Sequence, residues 1–156
     1  VVFDVGARTS LDYLSVKPNA EYHLFEPYSL FSEWLREETI GMSNVFVNGY
    51  ALGEKEGTAM YDVGLQSFQL ECGIPLPVKT LDWYIEKNNI IRIDFLKIDA
   101  EKWDCKVLQG GKKAIALARY IQYETWDKEE NDIMTGLLGD FTCEDIGKRN
   151  MFCTRK

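Results

Sequence analysis

Acidic side chains stand at the ends of two predicted strands, where an α/β protein binds its ligands. Asp4 lies in the apolar run Val1–Val5 and Gly6 follows that run, while Glu26 ends the next run, Tyr22–Phe25. A glycine lets the chain turn closely past a ligand. A carboxylate about 20 residues further on can accept hydrogen bonds from both hydroxyls of a nucleotide ribose. Together these residues predict a site for an adenosine-containing cofactor.

Each of these signals also has a plainer explanation. One glycine after a strand is a common turn. Glu26 precedes Pro27, which suits the first turn of a helix, so its charge could simply favour the helix dipole. Because the glycine turn and the carboxylate occur together at the expected spacing, we favour a cofactor site over a common turn and an unrelated helix-start residue.

A second charged group follows the most apolar predicted strand, Ile93–Ile98. Lys97, Asp99 and Glu101 alternate along the sequence, so their side chains are expected to point in one direction. Buried charges are costly unless they are paired, and we therefore predict a functional cluster. The alternative is a Lys97 salt bridge that only caps the strand.

Short β-type runs alternate with helical runs, which is typical of a mostly parallel sheet covered by helices. A hairpin of Phe141–Ile146 and Met151–Thr154 is predicted to close the chain. Thr58–Val63 and Pro77–Lys79 look like extended pieces on either side of an irregular segment that contains Gly and Pro. The other predicted strands are Val1–Val5, Tyr22–Phe25, Asn44–Tyr50, Ile93–Ile98 and Tyr120–Glu124, and the helices are Ser10–Val16, Pro27 to about Gly41, Leu81–Lys87 capped by Thr80, and Lys102–Gln109.

Ligands of open α/β sheets bind at the carboxyl ends of the strands, where the strand order reverses. We therefore expect Gly6–Ser10, Glu26-Pro27, Ala51-Leu52 and Asp99–Glu101 to share one cleft. Glu124 ends a further predicted strand, and it either reaches this cleft or is an exposed strand end.

The composition bounds the class of protein. The chain has 156 residues and a formal charge of −7, which suits one domain spanning residues 1–156 and excludes nucleic acid or an anionic membrane as an evident partner. No apolar run has the length of a membrane helix. Because the sequence begins inside a strand without Met, we expect an N-terminal extension to be missing.

The cysteines show no spacing of a zinc or redox site. Cys72, Cys105, Cys143 and Cys153 are therefore predicted to be reduced thiols of a cytoplasmic protein. A contact between Cys143 and Cys153 across the closing hairpin is the alternative.

Five segments resemble the motifs of the FkbM methyltransferases, in order and in register over most of the chain. The segment VVFDVGARTS resembles the family's opening motif, D-V-G-A-N-x-G. The segment LFEP resembles its F-E-P signature. The segment NVFVNGYALGEKEG resembles the family segment in which a strand with an asparagine is followed by A-L-G. VKTLDWYI resembles the T-L-D element and DFLKIDAEKWDCKVLQGG the K-I-D-x-E-G segment. The resemblance implies a Rossmann-like class I methyltransferase fold, with a mostly parallel sheet and helices on both faces.

The same resemblance implies S-adenosylmethionine as cofactor and methylation of a hydroxyl on a sugar, glycan or secondary metabolite. No metal is required, although such carboxylates could hold one. The implied cofactor residues are Asp4, Gly6, Ala7 and Arg8 in the turn, Glu26 and Pro27 at the ribose, Ala51 and Leu52 at the adenine, and Asp99 at the methyl group. The implied catalytic residues are Asp99, Glu101 and Lys97.

Three positions depart from the family pattern. Arg8 stands in place of asparagine, and Ser10 and Lys102 in place of glycine. A cation at Arg8 is unfavourable beside a sulfonium unless it pairs with Asp4 or with the methionine carboxylate. A catalytically degenerate binding or assembly protein is therefore the alternative function. An NAD-dependent oxidoreductase ranks last because the turn lacks a full G-x-G-x-x-G.

Overall fold

The computed structural model describes residues 1–65, 67–69 and 73–156. Cys72 therefore lies outside the described residues. The strands are β1 (Val2–Val5), β2 (Tyr22–Phe25), β3 (Val45–Asn48), β4 (Ala51–Leu52), β5 (Gly57–Asp62), β6 (Ser67–Gln69), β7 (Ile74–Lys79), β8 (Ile93–Ile98), β9 (Ala118–Glu124), β10 (Phe141–Gly147) and β11 (Asn150–Arg155). The helices are α1 (Asp12–Val16), α2 (Ser29–Glu38), α3 (Leu81–Asn88), α4 (Asp104–Gln109), α5 (Lys112–Leu117) and α6 (Lys128–Leu137).

Seven of the described strands form the main sheet, in the order β10-β11-β9-β8-β1-β2-β3. Neighbouring strands from β9 to β3 are parallel, whereas β11 is antiparallel to both β9 and β10. The strand order reverses between β1 and β8, where ligands of such sheets bind. The predicted α/β class, the mostly parallel sheet and the closing hairpin are confirmed.

Helices cover both faces of the main sheet. Alternate side chains of a strand point to opposite faces, and β1 and β2 divide their residues accordingly. Phe3 and Phe25 belong to the larger core cluster, to which α3, α4, α5 and α6 contribute. Tyr22 and Leu24 belong to the smaller cluster, which packs against α1 and α2. Among the described residues, no helix is long and apolar enough to cross a membrane.

Two predicted helix starts are wrong. The helix expected from Pro27 begins at Ser29, because Tyr28 is extended and its N–H donates to the Glu26 carboxylate rather than joining a helical turn. The helix expected from Lys102 begins at Asp104. Glu101 and Lys102 both have positive φ angles, which a right-handed helix excludes.

The segment predicted to be irregular contains a second sheet, in the order β4-β7-β5-β6. Pro75 and Pro77 lie in β7 and face β5 in the register. Prolines are tolerated in a strand where an edge is open. β4 pairs only with Val78 and Lys79 of β7, so the part of β7 that carries the prolines is open on that side.

The sequence analysis also missed α6. The side chain of Asp127 accepts the backbone N–H of Glu130 and caps this helix. An Asp followed three residues later by Glu is close to the capping-box signature, so the signal was present in the sequence.

Cys143 and Cys153 form a disulfide between β10 and β11. The prediction of reduced thiols is therefore wrong for this pair, and the alternative of a cross-hairpin contact is confirmed. The physical reason is register: the two residues are directly opposite each other in the β10–β11 ladder, which brings their side chains together. Cys105 is a free cysteine.

Candidate cofactor and active site

The turn after β1 lies against the end of β8. Gly6 has a φ of +80°, and a Cβ at this position would overlap the carbonyl oxygen of Asp99. Its N–H donates to Phe25 O at 2.9 Å, so the turn also contacts the end of β2. Only glycine combines this φ with so close an approach. The strand-end residues of β1, β2 and β8 therefore meet at one place, as predicted.

Asp4 and Lys97 are neighbours in the β1–β8 register and form an ion pair. Lys97 Nζ lies 2.9 Å from Asp4 Oδ1 and 3.4 Å from Asp99 Oδ2. Burial favours a neutral amine at Lys97, but the carboxylates of Asp4 and Asp99 outweigh that effect and raise its pKa. Burial raises the pKa of Asp4, against the opposing pull of Lys97. Lys97 thus neutralises Asp4 and holds Asp99.

Glu26 is the most enclosed carboxylate of the predicted cofactor residues after Asp4, with 3% of the residue exposed. Its Oε2 accepts the N–H of Arg8 at 3.0 Å, and its Oε1 accepts the N–H of Tyr28 at 2.9 Å. Burial raises the pKa of Glu26, while these two bonds and the Arg8 charge oppose the rise. Each carboxylate oxygen has a further acceptor site, which leaves capacity for two ligand hydroxyls.

Arg8 lies at the rim of the site in a left-handed conformation, with a φ of 49°. Its Nη1 is 4.0 Å from Glu101 Oε1, and its guanidinium carbon is 5.8 Å from the centre of the Phe31 ring. Of the two partners considered for Arg8, the Asp4 carboxylate is paired with Lys97 instead. The Arg8 charge is therefore directed toward Glu101.

A cavity of about 40 Å³ lies between the strand ends. Most of the predicted site residues line it: Gly6, Arg8, Glu26, Pro27, Ala51, Leu52, Asp99 and Glu101. Asp4, Ala7 and Lys97 do not line it. Asp4 and Lys97 form the ion pair beneath it, and Ala7 packs into the core cluster near α1 and α2.

Three aromatic side chains that were not predicted as site residues, Tyr61, Phe68 and Trp103, form one wall of the cavity. Tyr61 of β5 and Phe68 of β6 have ring centroids 5.3 Å apart, and Phe68 and Trp103 are 4.6 Å apart. The indole N–H of Trp103 donates to Leu52 O at 3.0 Å. Tyr61 and Phe68 reach the cavity through the second sheet. The sequence predicted an extended piece at Tyr61 but not its pairing with the strand that carries Phe68.

Glu124 ends β9 beside Asp99 but is not among the residues that line the cavity. Its side chain is 10% exposed and lies 3.0 Å from Arg149 Nη2. Burial raises its pKa, and Arg149 opposes the rise. Glu124 therefore neither lines the cleft nor is an exposed strand end. It is a largely buried strand end that forms an ion pair with Arg149 in the hairpin turn.

The donor set fits an adenosine-containing cofactor. Glu26 offers acceptors for ribose hydroxyls, Gly6 permits close approach, and Phe25, Ala51 and Leu52 form apolar walls. The cavity volume of about 40 Å³ is smaller than the roughly 300 Å³ of an ordinary ligand pocket. Within the described residues, no cluster of His, Cys, Asp or Glu has the arrangement of a metal site.

A mostly parallel sheet with a reversal point and a close glycine turn after the first strand are the features of a Rossmann-like α/β protein. The model of the methyltransferase FkbM domain matches residues 4–138. The chain belongs to the FkbM methyltransferase family.

A solved structure of similar fold is methyltransferase FkbM from Methylobacillus flagellatus KT. The TM-score is 0.68 at 16% sequence identity, over 97% of this chain and 42% of that chain. This chain therefore spans less than half the length of that relative. At this identity the likeness shows the fold. No curated protein matches the sequence.

Proposed function

We propose that this chain binds S-adenosylmethionine and transfers its methyl group to a hydroxyl of a sugar, glycan or secondary metabolite. Membership of the FkbM family supports methyl transfer. The single observation that carries the cofactor assignment is Glu26, a buried carboxylate whose oxygens are held by the backbone N–H groups of Arg8 and Tyr28. These bonds fix both oxygens at the cavity wall while each keeps an acceptor site.

The residues divide the binding task. Glu26 accepts hydrogen bonds from the ribose hydroxyls, and Phe25, Ala51 and Leu52 pack against the adenine. Gly6 lets the backbone approach the cofactor closely. The Asp4–Lys97 pair stabilises the strand ends and keeps Asp99 at the cavity.

Bound S-adenosylmethionine supplies a methyl group on a positively charged sulfur, which is already electrophilic. The protein therefore mainly has to align an acceptor oxygen with that methyl group. Asp99 and Glu101 line the cavity and are partly exposed, so either carboxylate can remove the proton of an acceptor hydroxyl as a general base. Lys97 acts on this step by holding Asp99.

Calorimetric titration with S-adenosylmethionine and S-adenosylhomocysteine tests the proposal. Glu26→Ala is expected to weaken binding by about 1–3 kcal/mol, the scale of a lost hydrogen bond to a charged group. Glu37→Ala removes an exposed carboxylate of α2 and is the matched control, with unchanged affinity. Equal affinities for the wild type and the Glu26 variant would contradict the ribose assignment.

A degenerate binding or assembly protein is the second candidate. The small cavity volume favours it, because a space of about 40 Å³ does not hold a whole cofactor. The departures from the family motifs at Arg8, Ser10 and Lys102 favour it as well. The same titration separates the two functions: a folded wild type that binds neither compound would refute the enzyme proposal.

The cytoplasmic location remains a prediction, and the Cys143–Cys153 disulfide argues against it. Disulfides persist in oxidising compartments and are rare in the cytosol. Thiol trapping in intact cells, followed by mass spectrometry of the peptides that carry Cys143 and Cys153, shows which state the protein has where it resides.

A further inference from the structure

Asp104 is a fully buried carboxylate that the proposed chemistry does not use. It stands at the start of α4, and each of its oxygens accepts one backbone N–H. Oδ2 accepts from Ala100 and Oδ1 accepts from Glu124, both at 3.1 Å. Ala100 lines the cavity and Glu124 ends the neighbouring strand, so one side chain joins the loop after β8 to the end of β9.

The loop that Asp104 holds has an unfavourable backbone conformation. Glu101 and Lys102 have φ angles of 50° and 71°, and residues with side chains adopt such angles at a cost in free energy. A loop of this kind keeps its shape only when the surrounding structure holds it. At its two ends the N–H of Asp99 donates to Val5 O and the N–H of Trp103 to Ala100 O. Asp104 supplies the link between the loop and β9.

We propose that Asp104 is a positioning residue that fixes the loop carrying Asp99 and Glu101 against the end of β9 and so sets the shape of the cofactor cavity. The proposal rests on the proposed function, because the ligand of the cavity is taken to be S-adenosylmethionine.

The link requires an ionised carboxylate. An ionised carboxyl group accepts hydrogen bonds at both oxygens, whereas a protonated one carries a hydroxyl that donates. Protonation removes the negative charge and turns one accepting oxygen into a hydroxyl, which is a weaker acceptor, so it weakens the bond at that oxygen. Burial raises the pKa of Asp104 to about 7, the two backbone bonds oppose the rise, and the charges of Asp99 and Glu124 add to it. The link is then lost as the pH falls below neutrality.

The charged groups around α4 do not replace these bonds. In the hairpin turn, Arg149 is paired with Glu124. On α6, Glu130 accepts the N–H of Trp126, and on α5 the side chain of Lys113 is paired with Glu86 of α3. The two backbone N–H groups are therefore the contacts that hold the Asp104 charge.

The test measures the dissociation constant of S-adenosylhomocysteine by calorimetry at pH 8 and pH 6. Wild-type affinity is expected to fall roughly tenfold at pH 6, because only the ionised fraction of Asp104 supports the binding-competent loop. Asp104→Asn places an NH₂ against one N–H, so it is expected to bind equally weakly at both pH values. Asp127→Asn is the matched control. It makes the same Asp-to-Asn change at the cap of α6, which lies outside the loop, and is expected to keep the wild-type affinity and pH dependence.

Two outcomes would overturn the proposal. The first is an Asp104→Asn variant that keeps the wild-type affinity and pH dependence. The second is read from the wild type alone: the amide proton shifts of Ala100 and Glu124 are expected to titrate together with a midpoint near pH 7, and shifts that stay flat there contradict the loss of the link below neutrality. This NMR readout needs neither a folded variant nor a bound cofactor. A wild type that binds no S-adenosylhomocysteine at either pH refutes the proposed function instead.

Discussion

Gly6 brings the end of β1 into contact with the end of β8. Gly6→Ala adds a Cβ that meets the Asp99 carbonyl oxygen at a backbone φ of +80°. We expect a loss of about 3 kcal/mol or more in the free energy of unfolding, from the left-handed conformation and the overlap together. Chemical denaturation followed by circular dichroism measures this loss.

Gly139→Ala is the control for Gly6→Ala. A Cβ at Gly139 meets nothing within 4 Å, so we expect a change within about 1 kcal/mol in either direction. Equal losses in the two variants would show that the close approach of β1 to β8 is not what requires glycine at Gly6.

Charged site residues were predictable from the sequence, whereas the aromatic ones were not. Glu26 and Asp99 directly follow apolar runs. A carboxylate at such a position is recognisable in the sequence because a charged residue ends a run of apolar ones. Tyr61 and Phe68 look like ordinary core residues in the sequence. They reach the cavity because the second sheet folds over the strand ends, and such a contact depends on tertiary packing that no local pattern encodes.

At the scale of elements, α6 depends on its N-terminal cap. Asp127→Ala removes the acceptor for the Glu130 N–H, and we expect a loss of about 1 kcal/mol in the free energy of unfolding. Asp127→Asn retains an acceptor oxygen and should stay within a few tenths of a kcal/mol of the wild type. Thermal and urea unfolding of the three proteins compare these values. An Ala variant as stable as the Asn variant would exclude a role for the cap.

The main-sheet strands were predictable as elements because their residues have strong local patterns. Val2–Val5 and Ile93–Ile98 are short apolar runs flanked by turn signals, which is typical of buried strands. The second sheet was predicted only in part: the extended pieces Thr58–Val63 and Pro77–Lys79 fall in β5 and β7. Its pairing was not predictable, because β4 pairs through only two residues and the prolines of β7 are unusual in a strand. The starts of α2 and α4 were displaced because the backbone before each helix is not helical: Tyr28 is extended, and Glu101 and Lys102 have positive φ angles.

At the scale of the whole molecule, the fold encloses several carboxyl groups near one edge of the sheet. Burial raises the pKa values of Glu26, Glu124 and Asp104, and it lowers the pKa of His23. The carboxyl groups favour the folded state at lower pH, whereas His23 opposes this below its ordinary pKa of 6.5. Comparing the wild type with a variant of one of these residues isolates that residue's contribution to the pH dependence of the free energy of unfolding, because both proteins contain the other titrating groups.

The stability of the whole chain is expected to respond to pH through Asp104. Its pKa is about 7 in the folded protein against an ordinary value of 3.8, so between these values the folded state holds a proton that the unfolded chain has lost. This contribution to stability is fully present below the ordinary value and is lost as the pH rises through 7. Between pH 8 and pH 6 the free energy of unfolding of the wild type should therefore increase by about 1 kcal/mol relative to that of Asp104→Asn.

Urea unfolding of both proteins at the two pH values measures this difference. The contributions of Glu26, Glu124 and His23 cancel in it, because both proteins contain these groups. A difference that does not change with pH would show that Asp104 is not a buried carboxyl group titrating near neutrality, and the link between the loop after β8 and the end of β9 would then have to form at every pH.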